Sequence, residues 1–190
     1  MGGVDKGLMD LGGKPVLAHV IERLRPQVGS LIINANRDPE RYAGFGLPVI
    51  PDTIEGFAGP LAGLLAGLRW TAANLPDAPY VATVSNDAPF LPSDLVARLL
   101  DAVSGWPLSA AVASSGGRMH PVIGLWSVAL ADDLAAAMET GLRKAQAFAE
   151  RCGAIPVTFP VVEARGGTID PFFNANTREE LDAARAMLDA

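Results

Sequence analysis

The chain has 190 residues, a length that suits one domain and lets roughly 70% of the unfolded chain's surface be buried. Hydrophobic residues make up 49% and aromatics only 6%, with Ala, Leu and Val dominant, which fits helices covering a parallel sheet and argues against a β-sandwich. A net charge of −6 and an isoelectric point near 4.8 exclude an extended nucleic-acid surface, so an anionic ligand has to be held by local donors.

The opening stretch, MGGVDKGLMDLGGKP, reads as a glycine-rich anion-binding loop with Lys6 as its mobile positive charge, followed by a proline that opens an apolar helix. That combination points to nucleotide chemistry. Such a loop normally leaves the end of a parallel strand, and the expectation is a sheet whose first central strand is missing from this chain. Residues 15–27 have Val16, Val20, Ile21 and Leu24 at helical spacing, closed by Pro26 and Gly29. Residues 30–35 (SLIINA) read as a buried parallel strand and residues 47–50 (LPVI) as another, near an edge because of Pro48. A helix is expected over 59–74, a strand over 80–85 (YVATVS) and a helix over 92–103. Strands are expected at 108–113 and 122–126, helices at 129–139 and 142–151, a strand at 155–159 and a final helix at 178–188. The βαβ alternation of the first half predicts a doubly wound sheet with ligands at the carboxyl ends of its strands.

Apolar stretches stop well short of the ~20 residues of a membrane span, and no signal-peptide pattern opens the chain, so the expected location is cytoplasmic. Cys152 stands alone, which excludes an internal disulfide and a thiolate metal cage; it reads as a core residue at a helix end.

Several constellations can carry chemistry. Asp87 follows the 80–85 strand at the ligand-binding edge, where one carboxylate completes a Mg²⁺ shell if phosphate oxygens supply the rest; the competing reading is a cap for the helix at Pro92. Asn34 and Asn36 end the SLIINA strand, placed for a ribose or base, or for a turn. Asp52 precedes a stretch rich in glycine that includes Gly63, and a carboxylate there can accept from guanine N1–H and N2–H₂, which adenine does not offer. His19 reads as structural. His120 beside Arg118 is either a second anion contact or a satisfied loop histidine. Near the end, FFNANT offers Asn174 and Asn176, with Thr177 and Glu180 at capping-box spacing. No nucleophile elbow, reactive cysteine, Walker A sequence or paired zinc ligands occur, which removes hydrolase and P-loop ATPase readings.

Taken in order, MGGVDKGLMDLGGKP, NANR, VIPDTIEGFAGPLAGL, VSNDAPFLP, MHPVIGLW and DPFFNANTREEL resemble the molybdenum cofactor guanylyltransferases over essentially the whole chain. The resemblance implies a single nucleotidyltransferase domain over 1–190: a Rossmann-like, doubly wound, mostly parallel α/β sheet with helices on both faces. It implies transfer of GMP from GTP to molybdopterin with Mg²⁺ as cofactor and pyrophosphate as product. Lys6 and Asp87 would be catalytic, with Asp87 on the metal. Lys6, Asn34, Asp52, Gly63 and Asp87 would bind GTP. Asn174 and Asn176, with His120 and Arg118, would face the pterin. Proteins that load molybdopterin and acceptor molybdoenzymes are the implied partners, with no nucleic acid and no membrane. Members of the family carry, ahead of their Met-Gly-Gly, a strand ending in a Leu-Ala-Gly-Gly turn and an arginine, which this chain lacks; Met1 is accordingly expected to be an internal methionine of a longer product. The competing functions are a truncated, non-catalytic molybdopterin-binding module and a related cytidylyl or sugar-phosphate nucleotidyltransferase.

Overall fold

The computed structural model of the chain describes residues 5–54, 59–106, 109–164, 167–174 and 178–188. Gly12 and Gly13, both at positive φ, turn the chain between β1 (Asp10–Leu11) and β2 (Lys14–Pro15), a short antiparallel hairpin inside the expected anion loop. Pro15 then sits at the N-cap of α1 (Val16–Leu24), which runs on into a 3₁₀ turn, Arg25–Gln27. The regular part of the next strand, β3 (Ile33–Asn34), is shorter than the apolar run that announces it, and pairs in parallel with β4 (Val49–Ile50). Between them lies a 3₁₀ segment absent from the sequence reading, Pro39–Phe45, whose Tyr42 is buried. There follow α2 (Pro60–Asn74), β5 (Tyr80–Thr83), α3 (Leu95–Val103), β6 (Ala110–Ser115), β7 (Arg118–Ser127), α4 (Ala131–Glu139), α5 (Ala145–Arg151), β8 (Ile155–Thr158), β9 (Val162–Ala164), β10 (Gly167–Ile169) and α6 (Arg178–Leu188).

Helices on both faces follow from the alternation in β6. Ala110 and Val112 point into a core with Leu61, Leu65 and Leu68 of α2, Leu134 and Met138 of α4 and Phe148 of α5. Ala111 and Ala113 point the other way, into a core with Leu17 and Val20 of α1 and Leu95, Leu99 and Val103 of α3. Small side chains on this strand let helices approach from each side. Each fully buried Leu contributes about 2 kcal/mol relative to exposure.

The sheet is mixed: its order is β5-β7-β6-β8, with β7 antiparallel to both neighbours and β8 parallel to β6. β7 is longer than expected because Gly116 and Gly117, both at positive φ, close a two-residue hairpin and bring Arg118 opposite Ser115. The short antiparallel β9–β10 hairpin is also additional, since its three-residue strands are too brief for a periodicity signal. α3 begins at Leu95 rather than residue 92, with Asp94 at its N-cap, so Asp87 caps nothing and that competing reading falls. Cys152 does sit at the end of α5, half-buried in the second core, its thiol donating to the Phe148 carbonyl; burial raises its pKa. The suggested cap Thr177 lies outside the described residues.

Among the described residues, β3 pairs with β4 alone and β5 with β7 alone. Between β3 and β5 runs a cleft of ≈ 930 Å³ lined by Ile33, Tyr42, Leu64, Val81 and Thr83, which reaches Asn34 and Asn86 at the strands' carboxyl ends.

The register shift between β6 and β7 sits where Gly124 faces β6. A Cβ at Gly124 would fall 2.7 Å from the Ala111 carbonyl oxygen, whereas one at Gly67 of α2 would meet only Val81 Cγ1 at 3.6 Å. Gly124→Ala is therefore expected to lower the unfolding free energy by about 2 kcal/mol, and Gly67→Ala to leave it unchanged or raise it, as measured by denaturant titration.

Candidate active site

Asp5 organises the lysine loop. It is the N-cap of the 3₁₀ turn Lys6–Leu8, and its Oδ1 accepts from the Gly7 N–H at 3.0 Å and from Asn86 Nδ2 at 3.3 Å. Its Oδ2 accepts from the Tyr42 hydroxyl, which burial and then the neighbouring carboxylate hold protonated by raising its pKa to about 12. The approach is close: a Cβ at Gly7 would stand 2.9 Å from Asn86 Nδ2, so this contact requires glycine. Lys6 and Asp87 are thus the chain neighbours of the two residues that meet, Gly7 and Asn86. Lys6 is exposed, and Asp87, 7% exposed, receives the Ser85 hydroxyl on Oδ1.

A second group lies at the end of the β3–β4 pair. Asn34 Nδ2 donates to Asp52 Oδ1 at 3.0 Å and to the Ile50 carbonyl at 3.2 Å. Asn36 and Asp52 bind each other twice: the Asp52 N–H donates to Asn36 Oδ1 at 2.7 Å, and Asn36 Nδ2 to Asp52 Oδ2 at 2.6 Å. Parallel pairing places Asn34 opposite Ile50, two residues before Asp52, so all three side chains emerge at one edge. Gly63, on the first turn of α2, touches the same group, since a Cβ there would lie 2.5 Å from Asn34 Oδ1 and 4.0 Å from Asp52 Oδ1. Asn34, Asp52 and Gly63 are thus adjacent. Asn36, paired with Asn34 in the sequence reading as a candidate contact for ribose or base, joins the group because its i, i+2 spacing from Asn34 in extended chain puts it on the same side.

The third group lies on the β6–β7 hairpin and the segment after β10. Asp170 accepts the Ser115 hydroxyl at 2.8 Å on Oδ1 and 2.9 Å on Oδ2, and accepts the Phe172 N–H at 2.8 Å on Oδ1. His120 Nε2 stands 2.8 Å from the same Ser115 oxygen and its ring lies 4.9 Å from that of Phe172. Burial lowers the His120 pKa, opposed by Asp170 and reinforced by Arg118, so the ring is neutral at pH 7. His120 thus points inward. Arg118 is exposed at the hairpin's end, and Asn174 is exposed just beyond Phe173. Asn176 lies outside the described residues. Asp170 and Ser115 escaped the sequence reading because an Asp before Pro and a Ser before Gly are ordinary turn residues.

The first and third groups share an apolar anchor. Met9, Leu11 and Val16 from the lysine loop pack with Phe90 from the turn after Asp87, Phe173 beside Asn174, and Leu181 and Ala184 of α6. Among the described residues no group of three or more His, Cys, Asp or Glu gathers as a metal cage, and Asp87 is the carboxylate at the lysine loop's edge. His19 is structural: 8% exposed, with Nε2 2.8 Å from the Leu11 carbonyl oxygen.

The MobA-like NTP transferase domain family matches residues 1–154. The molybdenum cofactor guanylyltransferase of Bradyrhizobium sp. (strain ORS 278) is 50% identical over 188 residues, covering 98% of this chain and 86% of that protein. The protein of the same name from Rhizobium meliloti (strain 1021) is 50% identical over 190 residues, covering 99% of this chain and 86% of its own length. Among solved structures, molybdopterin-guanine dinucleotide biosynthesis protein A from Archaeoglobus fulgidus superposes with a TM-score of 0.72 at 23% identity, covering 98% of this chain and 92% of that one. 2-C-methyl-D-erythritol 4-phosphate cytidylyltransferase from Thermus thermophilus gives 0.68 at 20% identity, covering 97% and 94%. The two structures establish the shared nucleotidyltransferase fold; with half the residues identical along nearly its whole length to guanylyltransferases, the chain belongs to the molybdenum cofactor guanylyltransferase family.

Proposed function

We propose that this chain transfers GMP from GTP to molybdopterin at the carboxyl edge of its strands. The terminal phosphate oxygen of molybdopterin attacks the α-phosphorus of GTP, the bond from that phosphorus to the β-phosphate bridging oxygen breaks, and pyrophosphate leaves with the electron pair. The observation that carries this reading is the Gly7–Asn86 contact, which brings the Lys6 loop and the Asp87 turn to one place.

In this reading Lys6 binds the phosphates, while Asn34, Asp52 and Gly63 receive the nucleoside. Asp52 already holds two amide groups, so its orientation is set before any guanine arrives, and a preorganised acceptor loses little entropy on binding. Gly63 keeps the wall beside it flat. Asn174, with Asn176 and Arg118, faces the pterin, and His120 supports that side from beneath. The donor set suits Mg²⁺ rather than a metal that needs an all-protein cage: one buried carboxylate, Asp87, beside a lysine loop that gathers phosphate oxygens. Bound there, Mg²⁺ supplies positive charge against the triphosphate. Lys6 stabilises charge developing on the leaving phosphates, and the remaining acceleration comes from holding the two substrates in line.

Incubation with Mg²⁺, molybdopterin and each nucleotide in turn, reading pyrophosphate, is expected to give release with GTP. Retained pterin binding without release favours the non-catalytic module, and faster release with CTP favours a cytidylyltransferase. Asp87→Asn is expected to lower GTP turnover by about 100-fold or more with the melting temperature unchanged, as checked by the same assay and calorimetry. Gly63→Ala pushes a methyl into Asn34 Oδ1 and is expected to raise the KM for GTP by about tenfold while the KM for molybdopterin stays level.

A further inference from the structure

Ser115 and Asp170 have no part in the roles just described, and with His120 they stand close enough to act together. Ser115 is 1% exposed and has one hydroxyl hydrogen to share between two neighbours. Asp170 only accepts, so that hydrogen goes to its carboxylate, and His120 Nε2–H must donate to the Ser115 oxygen. The polarity runs from His120 through Ser115 to Asp170. This order is opposite to what a serine nucleophile requires, because the hydroxyl hydrogen points away from the histidine. Burial also denies Ser115 to any substrate. The cluster is therefore a holding device, and what it holds is the turn after β10.

Asp170 takes the Phe172 N–H on its side chain at 2.8 Å and the Phe173 N–H on its carbonyl at 3.0 Å, which folds residues 170–173 into a tight turn. Phe172, 3% exposed, is wedged between His120 and Phe159, with ring centroids 4.9 and 5.3 Å away. Phe173 packs on the other side against the Leu11–Val16–Leu181 cluster that anchors the lysine loop. Asn174 emerges directly after these two pinned rings.

We propose that Asp170 is a positioning residue for the acceptor substrate: through Ser115 it ties the turn carrying Asn174 to the β6–β7 hairpin and so fixes where that asparagine stands relative to the Lys6 loop. The inference rests on the reading of Asn174 as an acceptor-side group. Asp170→Asn keeps the shape but removes the charge and turns one of the two oxygens facing Ser115 into an N–H donor, and Ser115→Ala removes the middle link with one oxygen lost.

Steady-state kinetics with GTP and molybdopterin varied separately test the proposal. Each variant is expected to raise the KM for molybdopterin by about tenfold, the loss of one charge-assisted hydrogen bond, with the KM for GTP within about twofold of the parent. The double variant is expected to be no worse than the more impaired single one, because both break the same connection. In the substrate-free protein, amide exchange at Phe172 and Phe173 is expected to accelerate in both variants. A molybdopterin KM unmoved in both variants, a GTP KM that rises in step with it, or unchanged exchange at both amides overturns the role of Asp170. Parent protein that turns over GTP without using molybdopterin overturns instead the reading of the acceptor, a result the exchange measurement does not produce. Should Asp170→Asn fail to fold, Ser115→Ala carries the same comparison.

Discussion

The Asp5 carboxylate is the interaction on which the nucleotide end of the molecule depends. It joins three elements by hydrogen bonds: its own 3₁₀ turn through Gly7, the turn after β5 through Asn86, and the 39–45 segment through Tyr42. A carboxylate accepts from several donors at once, and each such bond is stronger than a neutral one. With Asp5 satisfied in this way, the flexible loop around Lys6 gains a defined seat beside Asp87. The tyrosine contributes as a donor, and burial extends the pH range over which its phenol stays protonated.

The acceptor end is built on the same plan with different residues. Asp170 there plays the part that Asp5 plays at the nucleotide end, a carboxylate that closes a turn with one oxygen and reaches a distant strand with both. Aromatic packing then joins the two ends. Phe90 and Phe173 meet Met9 and Leu11 in one small apolar cluster, so the three loops that carry Lys6, Asp87 and Asn174 rest on common ground. Such a cluster makes the spacing of polar groups a property of packing, which tolerates little displacement. The cleft between β3 and β5 opens toward Asn34 and Asn86.

Much of the architecture was legible from residue order. The helices over 60–74 and 131–139, and the strand at Tyr80–Thr83, were recognisable because apolar spacing and terminal prolines are local signals. The mixed direction of the sheet was not, because an apolar run states that a strand is buried but not which way its neighbour runs. Gly116–Gly117 looked like a loop between two strands and proved to be the tight turn of one hairpin. At the site, motif context singled out Lys6, Asn34, Asp52, Gly63 and Asp87; the structure sets Asn34, Asp52 and Gly63 side by side and packs the residue after Lys6 against the residue before Asp87. Asp5, Asn86, Ser115 and Asp170 did not, since a carboxylate or hydroxyl in a turn looks the same whether or not a distant partner holds it.

Residue order alone determined the alternating elements, the family, and the identity of the chemical groups at the strand ends, all of which depend on neighbours close in the chain. Tertiary structure alone decided which groups became partners: Asp5 and Asn86 are 81 positions apart, and Ser115 and Asp170 are 55. It also set His120, half-buried, against the Ser115 hydroxyl and the Phe172 ring. The physical reason is that a side chain's hydrogen-bonding capacity is written in its type, whereas the use of that capacity depends on which donors and acceptors the packed core delivers within about 3 Å of it.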